Sequence, residues 1–223
     1  VALALFDLDN TLLAGDSDYL WGLFLSEKGV VDPDIYKREN ERFYEEYKEG
    51  RLDIHEFLAF SLRPLAENDP HRLHAWREEF LREKIDPLIT EDARLLVEMH
   101  RKRGDTLAVI TATNAFVTAP IVERFGIPHL IATEPERAQE RFTGRVRGTP
   151  CFREGKVKRL KEWLAGRDES LEDAWFYSDS HNDLPLLEQV SHPMPVDPDP
   201  TLETVAAEKG WPVLYLHKDA PPP

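Results

Sequence analysis

The chain opens with Val1-Ala-Leu-Ala-Leu-Phe6, apolar at every position, and the run stops at Asp7-Leu-Asp-Asn10. So short a run, bounded by polar turn residues, fits a strand buried on both faces. Two others resemble it: Thr106–Ile110, ending in Thr-Ala-Thr-Asn, and Ala174–Tyr177, ending in Ser-Asp-Ser-His-Asn-Asp. Weaker strand candidates are His129–Ala132, Met194–Val196 and Val213–Leu216. Helical patterns separate them. Ala93–Arg103 halts at Gly104, a C-cap; Ala119–Phe125 takes Thr118 as N-cap and Pro120 in its first turn; Lys156–Ala165 aligns Val157, Leu160 and Leu164 on one face. This alternation predicts an α/β fold, a parallel sheet with helices on both faces.

From about Asp16 to Asp86 the pattern is helical throughout. Asp32-Pro33 and Asp69-Pro70 each read as an N-cap followed by proline at the first helical position, and Asp53-Ile-His-Glu56 as a capping box. Tyr36, Phe43, Tyr44 and Tyr47 form one helical stripe, and Leu73, Trp76, Phe80 and Lys84 another, which predicts an all-helical insert of four helices with its own aromatic core. Phe142–Val146 reads as a small hairpin around Gly144, and Ala220–Pro223 as a frayed tail.

Charge narrows the partners. Lys and Arg total 28 against 42 Asp and Glu, a formal net charge of −14. So acidic a surface repels nucleic acid and anionic membrane, and neither is expected as a partner. The single cysteine, Cys151, rules out an intramolecular disulfide and reads as a buried, inert thiol. The opening run lacks a basic flank and a cleavage site, and no apolar stretch approaches the ~20 residues of a membrane helix. The expectation is a soluble cytoplasmic protein. Since the aromatic stripes can bury within the insert, it is expected to be a monomer.

In open α/β sheets ligands bind beyond the carboxyl ends of the strands. There the three apolar runs deliver Asp7 and Asp9, then Thr111 and Asn114, then Asp179, Asn182 and Asp183. Asp7 and Asp9 would share a face, and Asp179 could join them from a neighbouring strand. Carboxylates so crowded raise one another's pKa unless a cation intervenes. A hard, oxygen-only site with room for water and phosphate suits Mg²⁺, and no Cys/His cluster argues for zinc. Thr111 can donate a hydroxyl hydrogen bond to phosphate. Lys156 begins a helix, so its ammonium and the helix's free N–H groups can face an anion.

Asp7-Leu-Asp-Asn-Thr11 resembles the DxDxT motif of the haloacid dehalogenase superfamily of phosphohydrolases. Thr111, Lys156 and Ser178–Asp183 match its second, third and fourth motifs in order, over almost the whole chain. A helical insert between the first two motifs, Phe142-Thr-Gly-Arg followed by Gly155-Lys156, and Asn182-Asp-Leu-Pro-Leu-Leu187 are similar to the phosphoserine phosphatase subgroup. The resemblance implies a Rossmann-like core of residues 1–15 and 87–223 with a helical cap of residues 16–86. It implies a Mg²⁺-dependent phosphatase of a small phosphorylated metabolite. Asp7 would be the nucleophile and form an aspartyl-phosphate; Asp9 would be the general acid and base. Asp7, the Asp9 carbonyl and Asp179 would bind the metal. Thr111, Asn182 and Lys156 would hold phosphate, with Asp183 orienting Lys156. Thr11 would fix the turn after the strand.

The chain departs from that subgroup in carrying Thr111-Ala-Thr113 for Ser-Gly-Gly and Ser178-Asp-Ser-His-Asn-Asp183 for Gly-Asp-Gly-Ala-Asn-Asp, which would reshape the pocket. By resemblance Asp16 would contact a substrate amine, so phosphoserine and histidinol phosphate both fit; alternatively Asp16 or Ser17 caps the helix beginning near Asp18. Arg63 could meet a substrate carboxylate, although Pro64 suggests a helix end there. Asn114 reads as a helix cap and His181 as a surface-loop residue. A phosphotransferase or mutase of the same fold remains an alternative. A phosphoacceptor signalling module would lack the long insert, a dehalogenase does not need Asp9, and an ion-pumping ATPase would need membrane helices.

Overall fold

The computed structural model describes residues 2–217; Val1 of the first apolar run and the Ala220–Pro223 tail lie outside them. The sheet is built from β1 (Leu3–Phe6), β2 (Thr106–Asn114), β3 (His129–Ala138), β4 (Arg141–Arg147), β5 (Ala174–Ser178) and β6 (His192–Pro195). These form one six-stranded sheet in the order β4-β3-β2-β1-β5-β6. All neighbours are parallel except β3 and β4. Leu3 pairs with both Thr106 and Ala174, so β1 is central, and the carboxyl ends of β1, β2 and β5 lie side by side.

The helices before β2 are α1 (Ser17–Glu27), α2 (Pro33–Lys48), α3 (Ile54–Ser61), α4 (Arg63–Glu67) and α5 (Pro70–Phe80). After them come α6 (Glu91–Arg103), α7 (Ala115–Arg124), α8 (Glu154–Leu164), α9 (Leu184–Leu187) and α10 (Pro200–Lys209). Side chains alternate across the sheet. Leu3, Leu5, Ala108, Ile110 and Phe176 face the layer of α8, α9 and α10. Ala4, Phe6, Val109 and Tyr177 face the opposite layer, and their apolar cluster runs without a break into Trp21, Phe24 and Phe80 of the inserted helices. Trp21 meets both Phe80 and Phe116 edge to face, at 5.2 and 6.1 Å between ring centroids.

The chain enters and leaves the insert at one place. Leu13 and Ile89 form an antiparallel bridge, and Ala14 N donates to Leu88 O at 3.0 Å. Asp32, Asp53 and Asp69 cap α2, α3 and α5, with proline in the first turn after Asp32 and Asp69. Glu56 does not close a capping box, because its carboxylate pairs instead with Arg42 of α2 at 2.8 Å.

Four expectations need correction. The insert has five α-helices among the described residues, not four: Pro64 has no N–H to continue α3 and lies instead in the first turn of α4. The hairpin turns at Gln139 and Glu140, since Ala138 pairs with Arg141 and Gln139 has φ 58°. Gly144 instead lies within β4 at φ 81°, where a Cβ would come 3.3 Å from Ala66 of α4. Helix α7 begins a turn early, at Ala115, with Asn114 rather than Thr118 accepting at its N-cap. Pro120 is therefore inside the helix. Finally, the stripe on α2 divides: Tyr36 and Phe43 are buried, whereas Tyr44 is exposed and lines a cleft with Tyr47.

Candidate active site

The cleft lies at the carboxyl ends of β1, β2 and β5, between the sheet and the inserted helices, with about 820 Å³ of free space that is partly open to solvent. Its floor carries Asp7, Asp9, Thr111, Lys156, Asn182 and Asp183. Asp7 N donates to Tyr177 O at 2.9 Å, which anchors the floor where β1 ends beside β5. Immediately after it, Asp9 and Asn10 leave regular geometry, Asn10 at φ 57°, and the chain closes a single turn through Leu13 N on Leu8 O.

Lys156, buried, donates to Asp7 Oδ1 at 3.1 Å and to Asp183 Oδ2 at 2.8 Å; Ser178 Oγ donates to the same Asp183 oxygen at 2.6 Å. Burial alone would lower the Lys156 pKa, but the Asp183 and Asp7 carboxylates outweigh it and hold the ammonium charged. Burial pushes Asp7 up to about 8, against the pull of Lys156 and with help from Asp183 and Asp9. Asp9 is also raised by burial, and its carboxyl is gripped from two sides, by Ser17 N at 2.6 Å and by Thr113 Oγ1 at 2.7 Å. Asp179 is raised well above the usual range by burial and by Asp7. Thr11 Oγ1 donates to Asp179 Oδ1 at 2.9 Å and accepts from Asp179 N at 3.0 Å, so one hydroxyl fixes that side chain and its backbone.

The donor set fits a hard divalent cation. Among the described residues no three carboxylate, imidazole or thiolate side chains converge on one point. If Asp7, Asp179 and the Asp9 carbonyl held such a cation they would need no third side chain, and the remaining positions would suit water and phosphate. Carboxyls held above their ordinary pKa beside one another are groups that a cation would ionise.

The other predicted residues divide. Asp16 caps α1, its Oδ1 accepting from Asp18 N and Tyr19 N, both at 2.9 Å, and it also lines the cleft. Burial and Asp9 raise it to about 7. Thr111 is buried in the floor, its Oγ1 accepting from Thr113 N at 3.2 Å. Asn182 lines the cleft, but its Oδ1 accepts from Arg153 Nε at 2.9 Å and its Nδ2 donates to Tyr47 O at 3.0 Å. Arg63 does not line the cleft: it opens α4 and pairs with Glu67 at 3.6 Å, exposed. Asn114 caps α7, and His181 Nδ1 meets Asp199 Oδ2 at 2.7 Å. The Cys151 thiol is pushed up to about 12 by burial, as an inert thiol would be.

Several cleft residues escaped the sequence reading. Thr113 is expected only to reshape the pocket; its bond to Asp9 is not foreseen, although a spacing of two from Thr111 on a strand suggests a second inward hydroxyl. Asp18 adds another carboxylate to the wall, raised well above the usual range by burial, Asp16 and Asp9. Arg153, which is not a lining residue but holds Asn182 from behind, carries no motif.

A central strand ending in an acidic pair, a buried lysine and a second acidic cluster on the next strand define a hydrolase of the haloacid dehalogenase-like class. The chain belongs to that family, whose model, haloacid dehalogenase-like hydrolase, matches residues 4–188. It is a phosphatase of the family. Histidinol-phosphatase of Neisseria meningitidis serogroup C (strain 8013) is 48% identical over 216 residues, covering 95% of this chain and 97% of the relative. A solved protein of unknown function from Bordetella pertussis Tohama I shares 49% identity and a TM-score of 0.90, over 96% of this chain and 98% of that one. A substrate-bound phosphoserine phosphatase superposes with a TM-score of 0.71 at 20% identity, over 96% and 92%, which shows the shared fold. No helix among the described residues is long and apolar enough to cross a membrane.

Proposed function

We propose that the protein hydrolyses a small amino-bearing phosphate monoester, histidinol phosphate foremost, through an aspartyl-phosphate on Asp7. The observation that carries this reading is the charge of the cleft. Lys156 is the one Lys, Arg or His side chain among its described lining residues, while Asp16 and Asp18 stand on the wall formed by α1. Lys156 is already committed to Asp7 and Asp183 at the phosphate end. A substrate carboxylate, as in phosphoserine, would enter a low-dielectric cleft with no counter-charge and face two carboxylates. Histidinol phosphate has an amine and no carboxylate. Tyr19, Tyr44 and Tyr47 offer aromatic faces to a ring or a cation. The 48% identity to a protein named histidinol-phosphatase supports the same choice.

In this reading residues 16–86 act as the cap that encloses the substrate. Asp7 attacks phosphorus in line; the ester P–O bond breaks as the Asp7 Oδ–P bond forms. Asp9, whose pKa burial raises, acts as the general acid and gives a proton to the leaving alkoxide. The carboxylate left behind then takes a proton from the attacking water, and the Asp7 Oδ–P bond breaks. Ser17 N and Thr113 Oγ1 keep Asp9 aimed through both halves. Lys156 stays charged and compensates phosphoryl charge. Mg²⁺ held by Asp7, Asp179 and the Asp9 carbonyl would ionise Asp7 and neutralise phosphate oxygens. The test is a panel of phosphate monoesters with Mg²⁺ present. Histidinol phosphate should exceed phosphoserine in kcat/KM by roughly 100-fold. A preference for phosphoserine, or for sugar phosphates without an amine, would overturn the proposal.

A further inference from the structure

One wall of the cleft is a seam between stretches far apart in the chain. The last turn of α2 and the loop that follows it lie over the start of α8 and the loop after β5. Tyr47 O accepts from Asn182 Nδ2 at 3.0 Å, and the Tyr47 ring lies 6.2 Å from that of Phe152. Gly50 O accepts from Arg153 Nη2, and Arg153 Nε donates to Asn182 Oδ1 at 2.9 Å. Arg153 thus closes a circuit of Arg153, Asn182 and the 47–50 segment, each bonded to the other two.

The backbone of Arg153 shows that its side chain matters there. Its φ of 49° and ψ of −121° fall outside the regions open to residues with a Cβ and within reach of glycine. Glycine would occupy the position without strain. An arginine keeps it, three residues before Lys156, and such strain persists where the surrounding contacts over-determine the conformation.

The guanidinium also settles which way Asn182 points. Arginine offers donors only, so the Asn182 atom facing it must be the carbonyl oxygen, which sends Nδ2 towards Tyr47. One Nδ2 hydrogen goes to Tyr47 O; the second remains for a ligand of the cleft that Asn182 lines.

We propose that Arg153 is a positioning residue: it fixes the amide of Asn182 in its ligand-facing orientation and ties the loop after α2 against the site. This rests on the proposed function for its kinetic readout alone. Arg153→Gly is the informative variant, because it keeps the backbone conformation and removes the guanidinium. Arg153→Lys keeps the charge without the fork, and serves should the glycine variant not fold.

Hydrogen exchange of the amides of residues 47–52 is measured on the full chain without substrate. KM and kcat are measured with p-nitrophenyl phosphate and with histidinol phosphate. In Arg153→Gly the melting temperature should hold or rise, exchange at 47–52 should quicken about 10-fold, and KM for both esters should rise about 10-fold with a smaller fall in kcat. Arg153→Lys should fall between. Exchange and KM matching the wild type would overturn the proposal, and so would faster exchange with unchanged KM, since the loop would then open without consequence for binding. If histidinol phosphate proves not to be a substrate, the exchange data and the aryl phosphate KM still decide the matter.

Discussion

Arg77 of α5 donates Nη1 to the carbonyl of Phe116 at 2.8 Å, and that carbonyl is the one Pro120 leaves without an N–H inside α7. Its guanidinium also lies over the Phe116 ring, 4.6 Å from the centroid. A proline that ought to weaken a core helix has become the socket for a side chain of the insert. Arg77→Ala should cost about 2 kcal/mol, from an acceptor left unpaired and a lost cation–π contact, or roughly 4–8 °C in Tm. Pro120→Ala restores a donor to Phe116, so the double variant should lose less than the sum of the two single variants, by about 1 kcal/mol. Additive losses in denaturant titrations would show that the carbonyl and Arg77 are not coupled.

Asp7→Asn should abolish turnover, and Asp9→Asn should leave under about 5% of kcat. Beryllium fluoride should bind the wild type at Asp7 in the presence of Mg²⁺. Near-wild-type activity of Asp7→Asn, with deamidation excluded by mass spectrometry, would remove the covalent mechanism.

Excess chelator should stop hydrolysis, and Mg²⁺ should restore it. Because the Thr11 hydroxyl fixes both the carboxyl and the backbone N–H of Asp179, Thr11→Val should raise the Mg²⁺ concentration for half-activity about 10-fold or more. An unchanged Mg²⁺ titration in that variant would place the metal away from Asp179.

Asp16 gives a pH signature. Burial and Asp9 raise its carboxyl to about 7, from an unfolded value near 3.8. The native state therefore holds this proton more tightly than the unfolded chain does. Its stabilising contribution is complete below about pH 4 and is lost as pH rises through about 7. In metal-free protein Tm should fall across that window, and less steeply in Asp16→Asn. The ionised form is the one that attracts an amine, so kcat/KM for an amino substrate relative to an aryl phosphate should rise through the same pH range. Asp16→Asn should cost about 2–4 kcal/mol in kcat/KM for the amino substrate and little for the aryl phosphate. Equal losses on both would make Asp16 a helix cap and nothing more.

Most residues that meet in the floor were legible in the sequence because they follow short apolar runs that fit interior strands; Asp7, Thr111 and Asp183 needed no knowledge of distant contacts, and Lys156 was legible as the start of a helix. Boundaries set by tertiary partners were not legible. Asn114 and Thr118 are both good capping residues, and Pro120, two residues after Thr118, favours a helix start at Thr118 on local grounds. What lets α7 run through Pro120 is Arg77, 39 residues away from Phe116. Arg63 attracted attention for its charge, yet its partner is Glu67, one helical turn on. Tyr44 and Tyr47 share a helical repeat with buried Phe43, and periodicity cannot tell a core from the wall of a cleft. Arg153 is a single arginine in a loop, and its role exists only once Gly50 and Asn182 are beside it.

The bridge between Leu13 and Ile89 brings the two ends of the inserted helices to one doorway in the sheet. An insertion with adjoining ends can be lengthened, shortened or exchanged without changing the path of a single strand. Under the function proposed above, chemistry and substrate choice can then evolve on separate schedules, one held in the strand ends and the other rewritten in the helices. The trade is constrained by the rings: Trp21, packed on Phe80, meets Phe116 across the doorway, so any transplanted insert must bring aromatic side chains that fill the same space.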